Sequence, residues 1–407
     1  MKPTILKLKQ HILIALGYFF IAAFLGVVLR FFRVLDIPVN YKFIVHTHSH
    51  IALLGWVYLA LTTLLYRLYL SNQNLDKRYS RIFWFTQMTL AGMLCSFPFQ
   101  GYALLSITFS TLFLFASYWF ACFFVTNTPK KIKNTYSYTC FLIALGYLLL
   151  SSIGPWVLGI VMNTSGPTSV WYRIAIYFYL HFQYNGWMIM GLLGAFFFLL
   201  ESSEIVLGKK QFERFIWGFN IGIVFTFLLS VLWVNPPVYV NYLAGFGAVL
   251  QMAAFGYLFR GFLKLKITYR GLFSNVQLSM ITFLVGLLIF KMSLQLLSAV
   301  PYFATLAATV LDFTIAYLHW TFLGVVTIGL FLFADIFGLI RISERSFYVY
   351  IIGFLPTEFL IFYKGFGVWQ NKPIIDNYDI ILAIVSIFIP IALLLILKDN
   401  IKGVYMK

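Results

Sequence analysis

Residues 380–397 read IILAIVSIFIPIALLLIL, a run with no charged residue and a single proline. At 1.5 Å per residue a helix of that length covers about 27 Å, close to the ~30 Å hydrocarbon layer of a bilayer. Similar runs recur along the chain, for example Ala103–Val125 and Tyr242–Phe259. They lack the alternation of a barrel strand, and a backbone in lipid must satisfy its own polar groups, so each run reads as a helix. With 62% hydrophobic and only 10% charged residues, the 407-residue chain has more apolar surface than a water-soluble fold could hide.

The breaks between runs place spans at about 11–34, 43–66, 82–99, 103–126, 136–162, 173–200, 213–234, 242–263, 273–299, 310–335, 347–365 and 379–398. The fold class is therefore all-α and integral to the membrane, with about twelve transmembrane helices. Residues 1–407 form one transmembrane domain with no soluble domain beside it. The split between the third and fourth spans rests on a short turn around Pro98, Gln100 and Gly101. The first span follows Lys2, Lys7 and Lys9 and continues to about Val34 without a small-residue cleavage site, unlike a cleaved signal peptide.

The net charge of +17 is topological in origin. With the N-terminus placed in the cytoplasm, Lys2, Lys7, Lys9, Arg67, Lys77, Arg78, Arg81, Lys130, Lys131, Lys133, Lys209, Lys210, Arg214, Arg260, Lys264, Lys266, Arg270, Arg341, Arg345, Lys398, Lys402 and Lys407 all fall inside. That is 22 of the 29 basic residues; Arg30, Arg33, Lys42, Arg173, Lys364 and Lys372 fall outside, and Lys291 lies within the ninth span. This asymmetry predicts a multi-pass protein of the cytoplasmic (inner) cell membrane with both termini cytoplasmic. Charges scattered in short clusters between apolar runs do not form a phosphate-binding face, so nucleic acid is excluded as a partner. Cys95, Cys122 and Cys140 make no ligand or redox pattern, and no disulfide framework is expected.

The polar content of the spans is concentrated in histidines. His11 starts the first span and reads as interfacial. The others lie in HTHSHIALLGW (46–56), YLHFQYNGW (179–187) and YLHWTFLGV (317–325). Aligned, these strings share one pattern: an aromatic or His, one residue, His, four residues, Gly, then Trp or Val. His50, His181 and His319 correspond, followed by Gly55, Gly186 and Gly324, while Tyr179 and Tyr317 replace His48. Intervals of 131 and 138 residues put four helices between copies, giving repeats of roughly 1–135, 136–270 and 271–407. Each histidine lies ~10–15 Å below the outer surface. Ionisable groups at that depth are costly and mark function by default.

At 100° per residue, His46 and His50 share a face of their helix and His48 points nearly opposite. With no HExxH, no CxxC and no carboxylate beside these histidines, a hydrolytic zinc site is not expected. Neutral imidazoles among Phe, Trp and Gly suit haem iron, and copper accepts the same donors. Other polar groups within spans are Lys291, Asp312, Glu358, Gln183, Asn185 and Gln251. Lys291 is expected to pair with Asp312 or Glu358, as an ion pair or part of a proton path, and Glu358 follows Pro356 in what reads as a broken eleventh helix.

Twelve helices in three four-helix arcs, cytoplasmic termini, and histidines on helices two and ten near the outer face resemble subunit I of the haem–copper oxidase superfamily. HSHIALLGW is similar to the His-x-His-x-x-x-x-Gly-Trp string of cbb-type oxidases, and HFQYNGW to the helix-six region of nitric oxide reductases. The resemblance implies a haem b, one or two per chain, with a helix-two ligand (His46, His48 or His50) and His319 as axial ligands. It implies a copper or distal position at His181, a metal-ligand set of His48, His50, His181 and His319, and haem propionates neutralised by Arg30 and Arg33. It further implies an oxidoreductase working in electron transfer, or in reduction or sensing of O2 or NO, with a cytochrome or other redox subunit as partner. The seventh span, RFIWGFNIGIVFTFLLSVLW, lacks the paired histidines of a copper centre, and the double-His motif stands on helix two instead of helix ten. An ordinary oxygen-reducing copper site is therefore not expected. A second resemblance, to twelve-helix haem and copper proteins linked to nitric oxide tolerance, lacks their His-Glu string. Two other functions stay open: a transporter for a metal ion or small solute that uses the histidines, and a non-catalytic membrane subunit.

Overall fold

All the apolar runs become helices, because a segment that buries its side chains in lipid or against other segments must bond its own backbone. A computed structural model describes residues 3–205, 207–264 and 273–405. Among them are twelve helices long and apolar enough to cross a membrane. They are α1 (Leu6–Phe31), α2 (Tyr41–Leu70), α3 (Asp76–Gln100), α4 (Leu104–Asn127), α5 (Tyr136–Thr164), α6 (Val170–Ser202), α7 (Lys209–Val234), α8 (Tyr239–Gly261), α9 (Asn275–Leu297), α10 (Leu311–Ile336), α11 (Glu344–Trp369) and α12 (Tyr378–Ile401). No strand occurs among the described residues. The protein is an all-α polytopic membrane protein, as its apolar runs predict. Lys2, Lys266, Arg270 and Lys407, which enter the charge count, lie outside the described residues.

Several helices extend beyond the apolar run that defines them. α3 begins at Asp76, six residues before its hydrophobic stretch, since helical hydrogen bonding continues through the headgroup layer. Side-chain caps set many of the starts. Asn40 accepts from the amides of Lys42 and Phe43 at α2, Thr135 from Tyr138 at α5, and Ser169 from Trp171 at α6. At α9, Ser274 and Gln277 form a reciprocal capping box.

Prolines account for two irregularities. α5 is interrupted at Ser152, three residues before Pro155, and α12 at Ile387, three before Pro390. α11 departs from expectation. It runs unbroken from Glu344 to Trp369 with Pro356 inside it, so Glu358 sits on a continuous helix and not at a half-helix end. One missing amide is tolerated there because the helix on either side remains fully bonded.

The chain divides into two compact units. One contains α1–α4, α11 and α12 with the last residues of α10; the other contains α5–α9 and the rest of α10. The most enclosed spans are the three that carry histidine motifs. Within their most apolar windows, 78% of α2, 72% of α6 and 61% of α10 is buried, against at most 50% in any other span. Cys95, Cys122 and Cys140 are free thiols.

Candidate functional site

The three motif helices share a backbone feature. Immediately after His50, α2 changes to π-helix over Ile51–Tyr58. α6 does so over Phe182–Met188 directly after His181, and α10 over Trp320–Val326 directly after His319. A fourth π segment, Tyr66–Leu70, follows later in α2. Such segments widen a helix by one residue per turn and cluster at functional positions.

The glycine of each motif lies inside its π segment, and in two copies it makes room for a tyrosine. A Cβ on Gly55 would sit 2.8 Å from Tyr18 Cβ, and one on Gly186 would sit 2.5 Å from Tyr147 Cγ. Tyr18 and Tyr147 end the same hexapeptide, LIALGY, at 13–18 and 142–147. Gly286-Leu287 stands at the corresponding place on α9, where the Leu287 carbonyl accepts a hydrogen bond from Trp320 Nε1 at 3.0 Å. This pairing of neighbouring helices was missed by a reading confined to the histidine strings. The signal that could have found it is the duplicated hexapeptide one helix upstream.

In the first unit the helix-two histidines divide as their angular spacing requires. His46 and His50 face α3 and the turn after it. The His46 ring lies 4.6 Å from Tyr102, and the His50 ring 4.5 Å from Phe97. His50 Nδ1 donates to the His46 carbonyl at 2.9 Å, which leaves Nε2 as the acceptor for the Tyr102 hydroxyl at 3.3 Å. His48 faces α1 instead, and its Nδ1 donates to the Ala22 carbonyl at 2.8 Å. Gly26, one turn further along α1, clears the ring: a Cβ there would lie 3.1 Å from His48 Cε1. A histidine whose Nδ1–H is held by a carbonyl carries its lone pair on Nε2 in a fixed direction, the usual arrangement of an axial ligand. The Ala22 carbonyl thus fixes the tautomer and direction of the His48 ring, as the His46 carbonyl does for His50.

In the second unit His181 is buried in a polar ring. Its Nε2–H donates to the Ile223 carbonyl of α7 at 2.9 Å, and its Nδ1 accepts from Asn185 Nδ2 at 3.2 Å. The Asn185 side-chain oxygen accepts from Lys291 Nζ. Lys291 also donates to Gln295 Oε1 at 2.8 Å; Gln295 Nε2 donates to Gln251 Oε1 at 3.2 Å, and Gln251 Nε2 to Thr226 Oγ1 at 3.1 Å. The Thr226 hydroxyl ends this arm on α7, donating to the Gly222 carbonyl at 2.8 Å with the Ile223 carbonyl 3.1 Å away. Gly222 lets α8 approach closely enough, since a Cβ there would lie 2.5 Å from Gln251 Cγ. Lys291 was expected beside Asp312 or Glu358. Its partners are instead two amide oxygens, Asn185 Oδ1 and Gln295 Oε1. Gln183 bonds separately to Ser151 Oγ at 2.9 Å.

His319 is half-buried on α10, at the last α-helical position before the π segment. Arg30, half-buried, ends α1. Arg33 is exposed and lines an open cleft of ≈ 470 Å³ with Lys364, Asn377, Tyr378 and Asp379. Glu358 is completely buried, within reach of the Arg30 charge. His11, read as interfacial, stacks on Phe83 with ring centroids 3.6 Å apart. Among the described residues no three His, Cys, Asp or Glu side chains converge on a common metal position. No protein-family model matches the chain, and no curated protein matches it.

Proposed function

We propose that the chain is a haem-binding protein of the haem–copper oxidase subunit I type. In this reading it works in electron transfer, or in reduction or sensing of a diatomic gas such as O2 or NO. The observation that carries the reading is His48: half-buried in a membrane helix, held through Nδ1 by the Ala22 carbonyl and given space by Gly26. The most enclosed helices all carrying a histidine followed by a π segment supports the same reading.

His48 would be a residue that holds the haem iron; the resemblance also names His319 as a ligand and Arg30 and Arg33 as partners for the propionates. The haem supplies a one-electron couple; His48 orients it, and the Phe and Trp around the motif keep water away. His181 is read as a member of the polar ring and not as a copper ligand, because both its nitrogens already have protein partners. The 22-to-6 distribution of basic residues supports cytoplasmic termini and an inner-membrane location in this reading, where a cytochrome or another redox subunit would deliver electrons.

The test is a reduced-minus-oxidised visible spectrum of the purified protein with iron counted per chain. A low-spin b-type spectrum is expected in the wild type. His48→Ala and His319→Ala should each remove it, and His181→Ala should leave it. A wild type purified from haem-replete cells with no iron would discard the haem reading and leave a transporter or a non-catalytic subunit.

A further inference from the structure

Lys291 is the ionisable group that the haem reading does not use. It is 1% exposed, in the middle of a membrane helix, and bonded to two uncharged amide oxygens. A permanently charged ammonium in lipid calls for a counter-ion, because desolvation costs several kcal/mol per charge. An ammonium also has three N–H donors, whereas a neutral amine has two. The two acceptors that the ring presents, Asn185 Oδ1 and Gln295 Oε1, match the neutral amine.

The ring is also polarised. One arm runs from Lys291 through Asn185 to His181, the other through Gln295 and Gln251 to Thr226. In both arms each group accepts from the side of Lys291 and donates onward, and the arms end on neighbouring carbonyls of α7, Ile223 and Gly222. Every dipole therefore turns its negative end toward Nζ. Charge arriving at Nζ strengthens each bond in both arms, since hydrogen bonds in a chain polarise one another. The Tyr184 ring, with its centroid 6.0 Å from Nζ, offers a π face to the cation. The titratable groups on the Lys291 side of the ring are His181 and Tyr184, both on α6, with Tyr317 of α10, which also packs on α9, 6.3 Å behind the Tyr184 ring. α7, α8 and α9 contribute Thr226, Gln251 and Gln295, which do not titrate.

We propose that Lys291 and the amide ring around it form a proton-binding site in the membrane core. The amine lone pair takes a proton from water to form a third N–H bond, giving an ammonium, and returns it to water on release; no electron moves. The site is carried by hydrogen-bond geometry in the second unit and stands whether or not the chain holds haem.

The experiment labels lysine with 15N at Nζ in the full-length protein in micelles and follows the spectrum as pH is varied. Lys291→Gln identifies the Lys291 signal by its loss. At neutral pH the Lys291 signal should show the shift and two-proton coupling of an amine while the other lysines show ammonium, and it should convert to ammonium on acidification. Lys291→Gln, which keeps two N–H donors and cannot bind a proton, should fold; Lys291→Arg, which is always charged, should lower the melting temperature more. An ammonium signal at every pH overturns the proposal, as does better tolerance of Arg than of Gln. Should neither variant fold, the 15Nζ signal that changes on Asn185→Leu identifies Lys291 and its spectrum decides.

Discussion

Adding one methyl group at Gly186 tests the paired-helix element. The Cβ of Gly186→Ala would lie 2.5 Å from Tyr147 Cγ and 2.6 Å from its Cβ, where carbon atoms ordinarily stop at ~3.5–4.0 Å. About 1 Å of separation must come from moving α5 away from α6 or forcing the Tyr147 ring off its rotamer. Overpacking of this kind costs about 1–3 kcal/mol, and the backbone end of a tyrosine cannot swing aside, so the upper part of that range applies. The gain in helix propensity on replacing glycine returns up to ~1 kcal/mol, leaving a net loss of about 2 kcal/mol. Gly146, beside Tyr147, is the control: a Cβ there meets nothing within 4 Å, so Gly146→Ala should be neutral or stabilising by up to ~1 kcal/mol. Gly55→Ala should behave like Gly186→Ala, because its Cβ would sit 2.8 Å from Tyr18 Cβ. The assay is reversible unfolding in mixed micelles, with Tyr147→Ala added to Gly186→Ala as the second half of a cycle. Removing the ring should recover much of the loss as a coupling of ~0.5–3 kcal/mol. Equal costs at Gly146 and Gly186, or additive effects of Tyr147→Ala and Gly186→Ala, would refute the notch-and-ring contact.

Gly26→Ala presses a methyl 3.1 Å from His48 Cε1 and, on the proposed haem reading, should shift or broaden the low-spin spectrum expected there while the helix content by circular dichroism stays unchanged. Asn185→Leu removes an acceptor from Lys291 and a donor from His181 at once; two buried groups left unsatisfied should cost about 2–4 kcal/mol in unfolding experiments, against ~1 kcal/mol for Gln183→Leu, which breaks one bond to Ser151. A reporter fused after Lys407 should be active only in the cytoplasm; activity confined to the periplasmic side would reverse the orientation.

Twelve spans were legible because hydropathy dominates in lipid, and one long apolar run admits one structure. The opposed faces of α2 were legible too, since His46, His48 and His50 are fixed by helical pitch alone and the contacts to Tyr102 and Ala22 fall on the sides it dictates. The partners of Lys291 were not. A search for opposite charge points to Asp312 and Glu358, but in a water-free core a pair of amide oxygens serves an amine without the desolvation cost of a second ion. Asn185 and Gln295 look like ordinary polar residues until α6 and α9 are side by side. Pro356 misled for a related reason. Its effect on a helix depends on whether the turns on either side hold their own bonds, and α11 continues unbroken from Glu344 to Trp369. The π segments have no one-dimensional signature beyond the motif that precedes them.

The same helix pair has acquired different chemistry in each copy. In the first, Tyr18 packs on Gly55 and α1 also supplies the carbonyl that aims His48. In the second, Tyr147 packs on Gly186, and the histidine one turn earlier is enclosed by amides that lead to Lys291. In the third, Leu287 replaces the tyrosine, and its carbonyl takes the Trp320 indole. What persists is backbone: a π segment against the preceding helix, directly after a histidine. Close packing of that kind makes the histidine's position insensitive to what surrounds its ring, so each ring environment is free to diverge. The haem ligation proposed at His48 and the proton binding proposed at Lys291 rest on different ring environments, so His48→Ala should leave the Lys291 15N signal untouched whether or not it abolishes a haem spectrum.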